Sequence, residues 1–229
     1  HVPDDYGSIQ EAINAADNGD IILVAPDTYF ENINYCGKSI TIKSYFDPED
    51  PDSTYLFNTI IDGSMPLDTN VASVVTFTSS SDTNAVLQGF TIQNGSGSLF
   101  GNLRYGGGIM CHAGAKIVHN RIINNNVENN YSAEGGGIYA KGSGSRPDFI
   151  LKYNIIEAEN GVDALELFKA ENPQLVILDI NLPGRNGLEV LEDMKKISPD
   201  VPVIVFTAFG TIDRIMKAIR LGAYDYLEK

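Results

Sequence analysis

Three residues in the last third of the chain have types and positions that could do chemistry together. Asp179 follows the apolar run LVIL, Thr207 follows VIVF, and Lys229 follows YDYLE. A carboxylate, a hydroxyl and an ammonium gathered on one rim suit an anionic phosphoryl group, with Thr207 and Lys229 offsetting the charge that builds on Asp179. Other chemistry finds weaker support. Cys36 and Cys111 lie in different repeats with no CxxC spacing and no histidine pair, so they read as buried free thiols rather than zinc ligands. Polysaccharide cleavage needs clustered aspartates, or aspartate-bound calcium with a basic residue, on one face. The candidates Asp62, Asp68, Asp82, Arg104, His112 and His119 do not recur at one position of a repeat, and Asp47, Glu49, Asp50 and Asp52 read as a solvated acidic loop.

For Asp179, Thr207 and Lys229 to meet, their runs must be neighbours in one sheet. NIIEA reads as a short strand, GVDALELFKAEN as a helix with Val162, Leu165, Leu167 and Phe168 mainly inward, and PQLVILD as a continuous apolar strand. A second helix runs from Asn186 to Lys196 with Leu188, Val190, Leu191 and Met194 on one face. PVIVFTA is a further buried strand, TIDRIMKAIRLG a third helix ended by Gly222, and AYDYLEK a last strand. Alternating strands and helices with short links predict a doubly wound parallel sheet with right-handed crossovers. Ligands of such sheets bind beyond the carboxyl ends of the strands.

The first two thirds follow other rules. Ser8 before IQEAINAA predicts a short capped helix with Ile9, Ala12, Ile13 and Ala16 on one face and Glu11 three residues beyond the cap. Short β-forming runs bounded by Gly, Asn, Asp or Ser follow, with no helix-length segment between them. GGGIMC at Gly106 recurs as GGGIYA at Gly135, and each leads on to a VHNRII or LKYNII core. Self-similarity of a unit that cannot bury its own apolar face predicts a solenoid of stacked rungs.

The stretch DYGSIQEAINAADNGDIILVAPDTYFENINYCGKSITIKS, with the later GGGI and NNN rungs, resembles right-handed parallel β-helix proteins of the pectate-lyase-like kind over residues 1–147. The resemblance implies a β-solenoid, and leaves open whether it binds polysaccharide, cleaves it, or is structural.

Residues 148–229 resemble the receiver domain of bacterial two-component response regulators, a flavodoxin-like α/β fold, through LVILDINLPGRNGLEVLEDMKK, PVIVFTAFG and AIRLGAYDYLEK. The D-x-x-L-P-x-x-x-G pattern falls on Asp179, Leu182, Pro183 and Gly187. By this resemblance Asp179 is the phosphoacceptor, Thr207 the switch hydroxyl, Lys229 the phosphate-contacting lysine and Tyr226 the rotating aromatic. The carbonyl of Asn181 joins Asp179 as a Mg²⁺ ligand, and a histidine kinase is the implied partner. A complete receiver also has a first strand ending in two adjacent acids that hold Mg²⁺, and a last helix. Neither is present here, so Mg²⁺ binding is expected to be weak or absent and phosphotransfer impaired.

The seam lies in RPDFILKYNIIEAENG, Arg146 to Gly161, where FILKYNII fits both grammars. Either residues 153–157 pair with 175–179 and bring Glu157 and Glu159 towards Asp179 as substitute acids, or FILKYNII closes the solenoid as its last rung. The expected role is a phosphoacceptor module rather than an enzyme. Alternatives are a polysaccharide-binding or structural solenoid capped by the α/β part, a carbohydrate-active enzyme, and a recombined or engineered chimera without native activity. The formal net charge of −14 divides into −9 up to Pro147 and −5 beyond it. With no basic patch, nucleic acid is excluded as a partner, and no apolar run is long enough to span a bilayer. The β-helix resemblance implies a secreted or surface location and the receiver resemblance a cytoplasmic one.

Overall fold

A strand of two to four residues cannot bury an apolar face by itself, and the N-terminal unit buries many such strands by stacking them. The computed structural model describes the chain except for residues 51–53, 79–83, 113, 128–132, 135, 141–149, 153, 159, 172, 208–211 and 229. It divides into two compact units, His1–Glu157 and Ala158–Lys229.

In the first unit the chain returns to three parallel sheets in one cyclic order. Ile21–Val24, Thr28–Tyr29 and Ile33–Asn34 begin them, and Thr41–Ser44, Ile60–Asp62 and Val75–Phe77 lie on these in turn. Val86–Gln88, Thr91–Gln93 and Ile109–Cys111 come next, then Lys116–Val118, Arg121–Ile123 and Ile138–Ala140. The register stacks like on like: Ile22, Ile42, Leu87 and Ile117 in one line, Ile61, Ile92 and Ile122 in another, Ile33, Val75, Ile109 and Ile138 in the third. All are buried, and each contributes about 1.5–3 kcal/mol of burial. A fourth sheet contains the antiparallel hairpin Gly97–Phe100 and Leu103–Tyr105. The cyclic order fits the expected solenoid.

The GGGI repeat is the stacking register itself, because Ile109 pairs with Ile138. A Cβ on Gly107 would come within 2.4 Å of the Gly136 carbonyl oxygen, so only glycine allows the layers this spacing. Asn120, fully buried, ties the layers together: its side-chain amide donates to the carbonyls of Leu87 and Val118, its Oδ1 accepts from the Phe90 N–H, and its own N–H donates to Asn154 Oδ1.

Helix α1, Ile9–Ala15, forms as predicted, with Ser8 Oγ accepting from the Glu11 N–H and Ile9, Ala12 and Ile13 buried. Its ends have partners that no local pattern announces. Glu31 accepts from the N–H groups of Ile9 and Gln10, and Lys38 Nζ donates to the carbonyls of Ile13, Asn14 and Ala16. An anion at the start and a cation at the end satisfy orphan backbone groups and complement the helix dipole. A one-turn helix α2, Tyr55–Asn58, occurs among runs expected to hold no helix; four residues are too few to show periodicity. Cys111 is buried as expected, but Cys36 is exposed, because it turns the chain with φ 52° and its side chain leaves the core.

At the seam, Ile150–Lys152 pairs with Lys116–Val118, and Ile155–Ile156 pairs with Arg121 and Ile122. Glu157 then meets Arg121 through two hydrogen bonds of 2.8 and 2.7 Å. The boundary expected between 147 and 148 therefore moves to 157/158, since these strands continue the stacked ladders.

In the second unit Val176–Asp179, Val203–Thr207 and Asp225–Glu228 form a three-stranded parallel sheet. Helices α3, Gly161–Glu171, α4, Gly187–Ile197, and α5, Ile212–Arg220, place Leu165, Phe168, Leu188, Val190, Leu191, Met194 and Ala218 in one core with Leu178, Val203 and Val205. All three helices share that core, so the expected double winding is one-sided among the described residues. Val162, expected inward, is half exposed: at 100° per residue it lies about 120° around α3 from Phe168. No helix of the described residues is long and apolar enough to cross a membrane.

Replacing Asn120 by alanine removes partners from several buried backbone groups at once. Urea unfolding of the N-terminal unit is expected to show a loss of about 2–3 kcal/mol.

Candidate functional site

The strand register decides which chain ends meet. Asp179 pairs with Phe206, and Phe206 pairs with Leu227, so three strands finish side by side. Thr207 lies one residue beyond that line and is paired with Glu228. The side chain of Thr207, and all of Lys229, lie outside the described residues.

The loop after Asp179 is held from several directions. Asp179 Oδ1 accepts from the Asn181 N–H at 2.9 Å, which fixes the carboxylate against its own loop. Asn181 Oδ1 in turn accepts from Arg214 Nη1 at 3.3 Å. Gly187 donates its N–H to the Ile180 carbonyl, and a Cβ there would stand 2.1 Å from the Asp179 carbonyl oxygen. That contact is the physical reason for a glycine at the end of the D-x-x-L-P-x-x-x-G spacing. Asn186 caps α4 by accepting from the Leu188 N–H, so the loop runs straight into a helix.

Gly161, Arg185 and Arg214 were not singled out in the sequence. Gly161 opens α3 against the loop: its N–H donates to the Pro183 carbonyl, and a Cβ would meet the Arg185 carbonyl oxygen at 2.5 Å. A glycine inside the first turn of a helix, where it is a poor helix former, was the available signal. Arg185 is anchored by Asp193, and Lys196 and Arg185 together hold the Asp193 carboxyl below the usual carboxylate range.

Tyr226 is half-buried and packs on the helix-covered core. Its hydroxyl is buried with no hydrogen-bond partner among the described residues. An orphaned hydroxyl in that place is a local cost the aromatic ring must outweigh.

Receiver domains bind Mg²⁺ at the phosphorylation site, and the described residues here do not by themselves fit that ion. Among the described residues no three His, Cys, Asp or Glu side chains converge as a metal site. Asn181 contributes a hydrogen-bonded loop residue beside Asp179, not a second carboxylate. The carboxylate of Glu157 is occupied by Arg121, and Glu159 lies outside the described residues. A small hard cation that demands near-octahedral oxygen ligation is poorly served by one carboxylate.

Of the acid/base candidates of the N-terminal unit, Asp62, Asp68, Arg104 and His119 have structural contacts. Asp62 is buried and accepts from the Ser64 N–H, Gln93 Nε2 and Asn94 Nδ2. Arg104 donates to the carbonyls of Thr69 and Gly97, and Asp68 accepts from the Asn70 N–H within its own turn. His119 packs on Phe46 with ring centroids 5.7 Å apart, and Asp82 lies outside the described residues.

Two substitutions test this geometry. Gly187→Ala pushes a methyl group into the Asp179 carbonyl and is expected to destabilise the C-terminal unit by about 1–3 kcal/mol in calorimetry. Tyr226→Phe removes the orphaned hydroxyl and is expected to leave the unit as stable or more stable, by roughly 1 kcal/mol in the same experiment.

Known proteins match this part of the chain. Residues 149–229 match the response regulator receiver domain. Sporulation initiation phosphotransferase F of Bacillus subtilis is 40% identical over 77 residues, covering 34% of this chain and 62% of that protein. Regulatory protein LuxO of Vibrio cholerae is 45% identical over 69 residues, covering 30% of this chain and 15% of that protein. The crystal structure of a DNA-binding response regulator of the LuxR family from Staphylococcus aureus is 35% identical, with a TM-score of 0.32, covering 34% of this chain and 64% of that one. The chain thus spans less than two thirds of these relatives. Its C-terminal part, residues 149–229, is a response regulator receiver domain.

Proposed function

We propose that the C-terminal unit accepts a phosphoryl group on Asp179 from a histidine kinase, and does so slowly because its described residues offer Mg²⁺ one carboxylate. The observation that carries this is the register, which sets Asp179 beside the strand that ends at Thr207, and that strand beside the one that leads to Lys229. One Asp179 carboxylate oxygen attacks phosphorus as the bond from phosphorus to the donor imidazole nitrogen breaks. The products are an acyl phosphate and a neutral imidazole once that nitrogen takes a proton. The Asn181 N–H orients the carboxylate, while the Thr207 hydroxyl and Lys229 ammonium meet the charge on the phosphoryl oxygens. The unit is a substrate that is modified and reset, not a catalyst.

The N-terminal unit reads best as a right-handed parallel β-helix that binds rather than cleaves. A run of rings supports polysaccharide contact: Phe100 to His112 at 5.1 Å, His112 to Tyr139 at 6.1 Å, Tyr139 to Tyr105 at 4.4 Å. Aromatic faces of this kind stack on apolar ligand surfaces, and the Asp62 carboxylate is already hydrogen-bonded.

Incubation of the full chain with acetyl phosphate tests the first reading. Intact-mass spectrometry is expected to show one hydroxylamine-labile phosphoryl group, absent in Asp179→Asn. Its formation should be insensitive to added Mg²⁺ and, with a metal clamp worth several kcal/mol missing, about 10²–10³-fold slower than in a metal-bound receiver. Labelling that survives in Asp179→Asn, or none after prolonged incubation, would refute the assignment.

A further inference from the structure

Arg214 is the cation that hydrogen bonds tie to the loop after Asp179. It lies in the first turn of α5, exposed to solvent, and its Nη1 donates to Asn181 Oδ1 at 3.3 Å. The N–H of the same Asn181 donates to Asp179 Oδ1 at 2.9 Å. One residue therefore links a guanidinium to the carboxylate. The link is loose, since 3.3 Å lies just beyond the usual ~2.7–3.2 Å of an N–H···O bond and the acceptor is a neutral amide. Among the described residues no carboxylate forms an ion pair with Arg214. Other cations of the unit are committed: Arg185 to Asp193 and Glu189, Lys196 to Glu192 and Asp193, and Lys195 to the carbonyls of Pro199 and Val201.

A phosphoryl group brings roughly −1.5 to −2 charge at pH 7, more than one ammonium and a hydroxyl offset. A planar guanidinium, with its fork of N–H donors, matches phosphoryl oxygens better than it matches a single amide oxygen. Resting on the reading of Asp179 as acceptor, we propose that Arg214 exchanges the Asn181 amide for the phosphoryl oxygens as the group arrives, and stabilises their charge. The guanidinium stays protonated and makes no covalent bond; it trades a neutral acceptor for an anionic one. Asn181 goes on orienting the carboxylate through its backbone N–H.

Acetyl phosphate labelling of the full chain, timed by intact-mass spectrometry, tests this with three variants. Arg214→Gln keeps a side-chain N–H to offer Asn181 but no charge, and Arg214→Lys keeps the charge. Labelling is expected to slow by about tenfold or more in Arg214→Gln, the loss of one hydrogen bond to a charged group, and to recover most of that loss in Arg214→Lys. Lys217→Gln removes an exposed cation of the same helix and should label as fast as the unaltered chain. Circular dichroism establishes that the variants fold. Equal rates in Arg214→Gln and the unaltered chain overturn the proposal, as does a glutamine variant that matches the lysine one, because Arg214 would then only hold the loop. An equal loss in Lys217→Gln overturns it too, by showing general attraction of an anionic donor. An unaltered chain that takes no label is a separate failure, of phosphoryl acceptance at Asp179 itself, and this role falls with it.

Discussion

A length of backbone can fill only one place in a sheet, and the residues from Ile150 to Ile156 fill theirs beside Lys116–Val118 and Arg121–Ile122. Each strand N–H and C=O pairs once on each side, so the choice is not shared. Much of the C-terminal unit follows from it. Its sheet begins at Val176 rather than at residue 153, and Glu157 is left with Arg121. The receiver match nevertheless begins at residue 149, so the same nine residues are claimed by family likeness on one side and by strand pairing on the other. The pairing governs where the side chains go. Likeness records only that both architectures accept a short run of β-branched residues.

Close backbone approach is the second constraint, and it works alike in two unrelated folds. In the N-terminal unit Gly107 and Gly108 leave room for the carbonyls of Gly136 and Gly137 in the next layer. In the C-terminal unit Gly187 leaves room for the carbonyl of Asp179, and Gly161 for that of Arg185. The first pair fixes how tightly layers stack. The second pair fixes where the loop after Asp179 lies against two helices, which is what turns an aspartate at a strand end into a held carboxylate.

Elements whose causes are local were legible in the sequence. Ser8 and the apolar positions Ile9, Ala12 and Ile13 announced α1, and the 29-residue recurrence of GGGI announced the register that pairs Ile109 with Ile138. The strand ends at Asp179 and Thr207 were legible because continuous apolar runs stop there. Features that depend on partners far along the chain were not. Nothing near Glu31 or Lys38 marks them as the residues that finish α1, more than twenty positions away. Cys36 was assigned to the core from residue type alone, whereas a left-handed turn places it outside. The seam was legible as an ambiguity but not as a choice, since periodicity cannot say which neighbouring edge a strand will take. The one-sided sheet was missed for the related reason that alternation of strand and helix says nothing about how many helices each face receives.

These points converge on the charge balance at Asp179. Where several carboxylates share a site, a divalent cation offsets their mutual repulsion and its binding is built into the site's stability. Among the described residues the Asp179 loop is held by neutral and side-chain contacts: the Asn181 N–H, the Arg214–Asn181 hydrogen bond, and the Gly187 backbone. Holding the carboxylate in place and activating it for phosphoryl transfer are therefore separable tasks. Positioning survives without the metal because it rests on backbone geometry. Charge compensation is a different matter, because a phosphoryl group brought beside a carboxylate, as proposed for Asp179, carries anionic oxygens that backbone geometry does not neutralise.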